Sequence, residues 1–184
     1  MTHSIAAAML QHAKRSPTRP ALLSAGETIT YAALATEAQR FAIALLTWGL
    51  RPADRVALFL ENSPDFVVAY LGTHLARGIV VPINTQYRSH ELAHILGDAG
   101  VRLCVTDAAC APELARMGAP SLEAIVQASD PAPAPPSSTG SSLMSLADFL
   151  ARAPLPSTTS DALATTASAR ELPAPDDPAV IAYT

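Results

Sequence analysis

The sequence has little of what several large functional classes require. Only two of its 184 residues are cysteine, which is too few for a disulfide framework and is typical of a reducing compartment. Aromatic residues make up 5% of the chain and the net charge at pH 7 is −4, whereas nucleic-acid binders carry a basic surplus or stacking rings. We therefore expect a cytoplasmic protein that does not bind nucleic acid.

Glycine-rich loops and long apolar runs are also missing. The eight glycines form neither a GxGxxG nor a Walker A pattern, and there is no GxSxG nucleophile elbow. The longest apolar runs, at residues 56–60 and 79–83, have the length of strands and are far too short to cross a bilayer. The residues given thus contain no recognisable phosphate cradle, and we expect no membrane span.

What the first fifty residues do contain is helical spacing interrupted by a short hairpin. Residues 3–15 are predicted to form a helix. Residues 21–24 and 28–30 are predicted as two short strands around a turn. Thr30 is then placed to cap a long helix that ends at Gly49.

The next part of the chain predicts a mostly parallel sheet flanked by helices. Three continuous apolar runs, at residues 56–60, 79–83 and 103–106, are typical of strands buried on both faces. Ser63 and Ser89 are placed as N-caps of the helices between them. The order strand, helix, strand, helix, strand implies parallel pairing with right-handed crossovers, and therefore an α/β fold.

The composition changes in the last third of the chain. Residues 128–177 are rich in proline, serine and alanine and are predicted to be a linker, because such segments bury too little apolar surface to offset their ordering entropy. A short amphipathic helix is predicted within it, near residues 145–152. Residues 178–184 begin another buried strand. We therefore expect an α/β subdomain over residues 1–127, then the linker, then a strand of a domain that continues beyond this chain.

The segment HELAH, residues 90–94, matches the HExxH pattern of zinc proteases. On a helix His90 and His94 share one face, so both imidazoles can bind one Zn²⁺ while Glu91 activates a bound water. A catalytic zinc needs a third protein ligand, however, and Gly100 occupies the position at which the longer zinc-protease motif has one. The apolar side chains lie opposite the histidines, which a solvent-exposed face explains equally well. We therefore expect no metal ligand here.

Five short segments, in this order, point to a family. They are TITYAAL (28–34), WGLRPADRVA (48–57), NSPDF (62–66), VPINT with a following EL (81–85 and 91–92), and DPAVIAYT (177–184). They resemble the markers of acyl-CoA synthetases in the AMP-binding, adenylate-forming superfamily, over roughly residues 15–110 and 176–184. One position departs from the pattern, because Ala53 stands where the family has glycine, and alanine at such a turn costs little unless φ is positive.

The resemblance implies both the fold and the chemistry. It identifies the chain as the N-terminal part of the large domain of an adenylate-forming enzyme, and the family's phosphate loop, S-G-T-T-G, would begin at Thr184. Such enzymes use ATP and Mg²⁺ to convert a carboxylic acid to an acyl-adenylate and then pass the acyl group to CoA. Only Thr184 carries over as a site residue, as the first residue of the loop signature that binds the ATP phosphates, and no catalytic or metal residue does. We expect this chain alone to be inactive and to bind none of these cofactors tightly.

Three alternatives remain open at this stage. Within the superfamily, the leading alternative is an amino-acid adenylation domain or another adenylate-forming enzyme. From other classes, the HELAH segment leaves a small zinc hydrolase, and the missing loop leaves a non-catalytic binding module. Asn84, at the carboxyl end of a predicted strand, lies where α/β sites gather, although no role is assigned to it. The carboxylic acid substrate is not readable from these residues.

Overall fold

A parallel five-stranded sheet with helices on both faces organises the protein in the computed structural model, which describes residues 4–24, 26–117, 119–128, 141–152, 172–174 and 176–183. The predicted α/β fold is confirmed. Among the described residues, no helix combines the length and the hydropathy that a bilayer crossing requires.

The elements alternate along the chain as the apolar pattern predicts. The helices are α1 (Ile5–Arg15), α2 (Tyr31–Trp48), α3 (Pro64–Leu75), α4 (Ser89–Asp98), α5 (Ala111–Met117) and α6 (Leu146–Ala151). The strands are β1 (Pro20–Ser24), β2 (Glu27–Thr30), β3 (Arg55–Phe59), β4 (Ile79–Pro82), β5 (Val101–Thr106), β6 (Ala124–Gln127) and β7 (Ser142–Ser145).

Local chemistry sets most helix ends where the sequence predicts them. The hydroxyl of Thr30 accepts a hydrogen bond from the Ala33 N–H (3.3 Å), and α2 ends at Gly49 in the left-handed region, with φ at 108°. Ser63 caps α3 in the same way as Thr30 caps α2. Ser89 is different, because α4 begins at this residue and Arg88 is the N-cap, so the prediction that Ser89 caps the helix is wrong.

The hairpin β1–β2 is antiparallel and stands apart from the main sheet, whose strands run parallel in the order β4-β3-β5-β6-β7. Side chains alternate between two cores on the two faces of this sheet. Leu58 faces a core formed with α1, α2, α3 and α6, in which the rings of Phe41 and Phe149 lie 5.6 Å apart. The next residue, Phe59, faces the other core, formed with α4 and α5.

The structure differs from the predicted linker at β7, whereas α6 corresponds to the short helix predicted near residues 145–152. β7 pairs in parallel with β6, and Phe149 of α6 is fully buried against α2. The α/β unit therefore extends past the predicted boundary at residue 127. The patterns do not predict α5, β6 or β7, which have seven, four and four residues, because such short segments show no periodicity.

The last described residues form a terminal segment, residues 178–183, beside the outer edge of β4. Val180 pairs in parallel with Val80, so the main sheet gains a further neighbour where the sequence predicts a strand. Thr184 and the linker residues 129–140 and 153–171 lie outside the described residues, so the predictions made for them stay predictions.

Candidate functional site

The candidate site is a cavity at the carboxyl ends of β3 and β4. In parallel α/β sheets, ligands bind in the crevice outside this edge. The terminal segment runs parallel to β4 and therefore ends at the same edge. The three ends enclose a volume of about 440 Å³, which is lined by Leu60, Glu61, Asn62, Phe66, Pro82, Ile83, Asn84, Thr85, Tyr87, Ala182 and Tyr183.

Two hydrogen bonds hold the loops that form the cavity walls. The hydroxyl of Thr85 donates to Oε1 of Glu61 (2.6 Å), which ties the loop after β4 to the loop after β3. Oδ1 of Asn84 accepts from the N–H of Gln86 (2.9 Å), the turn that asparagine side chains commonly stabilise. Asn84 thus lies at the cavity, as its place after a strand predicts, although its side chain is engaged in the turn.

The electrostatics of the cavity wall are weakly acidic. Among the lining residues that the structure describes, Glu61 is the one charged side chain. No described lysine or arginine contributes to the wall, so these residues provide no positive charge for a polyphosphate.

Tyr183 closes one side of the cavity. Its hydroxyl donates to Oδ2 of Asp98 (2.6 Å), near the end of α4. Its ring stands edge-on to that of His94, with centroids 6.4 Å apart. Because the hydroxyl donates to a carboxylate, the pKa of Tyr183 is raised above its usual value. Tyr183 and Asp98 are 85 positions apart, so no sequence pattern indicated this contact.

The HELAH segment forms the exposed face of α4. His90, Glu91 and His94 are all exposed, and the carboxylate of Glu91 accepts a hydrogen bond from the Arg88 N–H (3.1 Å). Hydrogen bonds from the backbone N–H groups of Glu91 and Arg88 lower the pKa of the Glu91 carboxyl. Within the described ranges, no three His, Cys, Asp or Glu side chains are grouped so as to hold a metal ion. Glu91 thus has a structural task at the helix start.

The segment RPADRVA lies at the opposite edge of the sheet, away from the cavity. Arg102 of β5 makes two hydrogen bonds to Glu123 (2.7 and 2.9 Å), contacts Asp54, and lies over the ring of Trp48 at 4.9 Å. The guanidinium accordingly lowers the pKa of Glu123, and the two carboxylates raise the pKa of Arg102. This Arg102 cluster (Trp48, Asp54, Arg102 and Glu123) fastens the amino ends of the strands and has no place in the candidate site.

The predicted site residue itself is not placed. Thr184 lies outside the described residues, and its predicted role is not tested. It directly follows Tyr183, however, which lines the cavity. Pattern analysis did not single out Tyr183, Asp98 or Glu61, whose contacts form or support the cavity wall, and only the position of Tyr183 within the DPAVIAYT segment gave a signal for any of them.

Sequence comparisons match this chain to known enzymes. The sequence profile described as "AMP-binding enzyme" matches residues 9–184. A fatty acid–[acyl-carrier-protein] ligase, ScoC of Streptomyces coeruleorubidus, is 37% identical over 115 residues, which are 62% of this chain and 22% of the relative. A long-chain-fatty-acid–CoA ligase of Bacillus subtilis is 39% identical over 94 residues, which are 51% of this chain and 17% of the relative.

Solved structures show the same architecture. The N-terminal domain of FACL13 from Mycobacterium tuberculosis superposes with a TM-score of 0.70 at 26% identity, over 99% of this chain and 42% of that one. The chain therefore spans about a fifth of the length of the curated relatives that it matches and less than half of this structural neighbour.

Proposed function

Because this chain belongs to the AMP-binding enzyme family, we propose that the whole protein is an ATP-dependent carboxylate–CoA ligase. A carboxylate oxygen of the substrate attacks the α-phosphorus of ATP, and the bond to pyrophosphate breaks. The thiol of CoA then attacks the acyl carbon of the acyl-adenylate, AMP leaves, and the thiol proton passes to solvent. Mg²⁺ is the cation proposed to accompany ATP in the first step.

One observation carries the proposal. The terminal segment reaches the carboxyl edge of the sheet beside a cavity of about 440 Å³, and the residue that follows it is Thr184. If a loop rich in serine, threonine and glycine begins there, its backbone N–H groups point into the crevice where α/β proteins bind phosphates. We propose Thr184 as the first residue of that loop.

The composition of the cavity wall supports a site to which this chain contributes a wall and the rest of the protein contributes the phosphate-binding groups. The substrate carboxylate and the triphosphate repel each other, so the reaction needs positioned donors and cations. The described wall provides one acidic side chain, Glu61, and no cation. We propose that this chain forms a wall of the site, and that the phosphate-binding groups that follow Thr184 lie beyond it. The 184-residue chain alone is accordingly expected to be inactive.

Cellular location and the linker enter as parts of the same proposal. Cys104 is buried and Cys110 is half-buried, and both are free thiols. Burial raises the pKa of Cys110 to about 11, which keeps this thiol protonated and unreactive at neutral pH. Two unreactive, unpaired thiols support a cytoplasmic protein.

We also propose that the Pro/Ser/Ala-rich residues 129–140 and 153–171 act as linkers between the elements that they join.

A second candidate differs only in the acceptor thiol. A relative named as a fatty acid–[acyl-carrier-protein] ligase matches 62% of this chain, so a carrier protein is a specific alternative to CoA. Amino-acid adenylation domains remain the broader form of the same alternative. Both alternatives share the adenylation of a carboxylate by ATP. They differ from the proposal in the thiol that receives the acyl group.

The test separates the two half-reactions. Carboxylate-dependent exchange of pyrophosphate into ATP is measured for the whole protein with a panel from malonate to long-chain fatty acids and amino acids. Exchange with a carboxylic acid supports adenylation, and its absence across the panel refutes the proposal. The enzyme-bound acyl-adenylate is then mixed with CoA or with a phosphopantetheinylated carrier protein, and the thiol that becomes acylated identifies the acceptor. Clear exchange by the 184-residue chain itself would show that the phosphate site lies within it. The proposal that the phosphate-binding groups lie elsewhere would then be wrong.

A further inference from the structure

The backbone pairing that holds the terminal segment stops before the segment ends. The Val80 N–H donates to the Ala179 carbonyl oxygen (2.9 Å), and the Ile181 N–H donates back to the Val80 carbonyl oxygen (2.9 Å). In a parallel ladder the next donor on β4 would be residue 82, which is proline and has no N–H. Among the described residues, the backbone bonds between β4 and the terminal segment end at Ile181.

A side-chain hydrogen bond holds the terminal segment beyond the point where its backbone pairing stops. Tyr183 lies two residues beyond Ile181, so both face the core that α4 covers, and both pack against it. The Tyr183 hydroxyl donates to the Asp98 carboxylate at 2.6 Å, a short distance for this kind of bond and typical of a charged acceptor. The ring also contacts that of His94 edge-on. The last described residues are thereby fastened to α4.

We propose that Tyr183 is a positioning residue, held by Asp98 on α4, that orients the chain where it passes into residue 184. This inference rests on the proposed function, because it takes the phosphate-binding loop to begin at Thr184. Adjacent Cα atoms are about 3.8 Å apart, so the position of Tyr183 restricts where the Cα atom of residue 184 can lie. A misplacement of about 1 Å in a site can cost up to about a hundredfold in rate.

The inference gives α4 a task besides covering the core. Its exposed histidine-bearing face, which resembles a zinc motif, lies against the terminal segment: Tyr87, His90, Glu91, His94, Ile95 and Tyr183 line a groove of about 340 Å³ there. The end of this helix, at Asp98, provides the hydrogen-bond acceptor. The contact joins the DPAVIAYT segment to the helix that carries Glu91 and Leu92 of another marker.

The kinetic test uses the whole protein and four variants. Tyr183→Phe and Asp98→Ala each remove the hydrogen bond, and we expect each to raise the KM for ATP about fivefold, the effect of one such bond, with a smaller change in kcat. Asp98→Asn keeps an acceptor oxygen and should recover most of the wild-type KM. The double variant Tyr183→Phe/Asp98→Ala should be no worse than either single variant, because both remove the same bond.

A matched control removes a hydroxyl elsewhere. Tyr31, at the start of α2, stacks on His12 and does not line the cavity. Tyr31→Phe makes the same chemical change as Tyr183→Phe and should leave the KM for ATP unchanged. If both variants shift the KM equally, the effect belongs to global stability, and the positioning role is wrong.

A second measurement follows the segment itself in the 184-residue chain. Amide hydrogen exchange at Ile181 reports whether its bond to Val80 opens. Tyr183→Phe should speed this exchange about fivefold, and Tyr31→Phe should not change it. An unchanged Ile181 rate in Tyr183→Phe, or an unchanged KM in an enzyme that forms an acyl-adenylate, overturns the inference while the proposed function stands. A wild-type protein that forms no acyl-adenylate removes the proposed function, and the role of Tyr183 toward ATP with it.

Discussion

Replacing Ala53 with glycine is expected to stabilise the protein. Ala53 has φ at 65°, in the left-handed region, which L residues with a β-carbon avoid. It lies in the turn before β3, at the position where the resemblance to acyl-CoA synthetases departs because the family has glycine. The structure thus meets the condition, a positive φ, under which alanine is costly at this turn.

The magnitude follows from two opposing terms. A β-carbon in the left-handed region costs about 1–2 kcal/mol, which glycine relieves. Glycine also loses more backbone freedom on folding, which costs about 0.4–1 kcal/mol. The Ala53 side chain is exposed, and the N–H that donates to the Arg77 carbonyl oxygen (2.9 Å) is kept in glycine, so no contact is lost. The net expectation is a gain of about 0.5–1 kcal/mol in the free energy of unfolding.

The assay is urea denaturation of the 184-residue chain, with Ala93→Gly as the control. Ala93 is exposed in the middle of α4, where the same replacement should cost about 0.5–1 kcal/mol. The two variants should therefore move the midpoint in opposite directions at an unchanged m-value. If Ala53→Gly lowers the midpoint as Ala93→Gly does, the backbone at residue 53 is not strained and the reasoning fails.

The remaining predictions concern a packing contact, an ion pair and the zinc motif. Gly72→Ala should cost about 1–3 kcal/mol of unfolding free energy, because a β-carbon would lie 2.7 Å from a carbonyl oxygen of α2. Gly97→Ala, with open space around it, should gain about 0.5–1 kcal/mol, and equal effects of the two would contradict this account. Glu123→Gln should cost about 0.2–1 kcal/mol at pH 7. Since Arg102 lowers the pKa of Glu123, that stability is present above the usual glutamate pKa and should vanish as pH falls through the lowered value; a difference that persists in acid would refute the pairing. Elemental analysis should find no stoichiometric zinc, and bound zinc that is lost in His94→Ala would restore the hydrolase alternative.

What the sequence by itself determined is local. Thr30 and Ser63 cap helices as predicted, because a cap needs only residues within one turn. The buried strands β3, β4 and β5 follow from continuous apolar runs, and their alternation with helices implies parallel pairing. The position of Asn84 at the sheet edge follows from the same reasoning, and the five short segments, each of them local, carry the family resemblance.

Only the tertiary structure decided which distant residues meet. The four-residue β7 forms a strand because Met144 and the adjoining helix α6 bury apolar side chains against elements far back in the chain. A positive φ at Ala53 costs free energy, so no local preference predicts it, and the surrounding turn has to impose it. The bond from Tyr183 to Asp98 spans 85 positions, and it exists because the packing of α4 brings a carboxylate within reach of the terminal segment. Such contacts depend on strand order and helix packing, which one-dimensional periodicity does not encode.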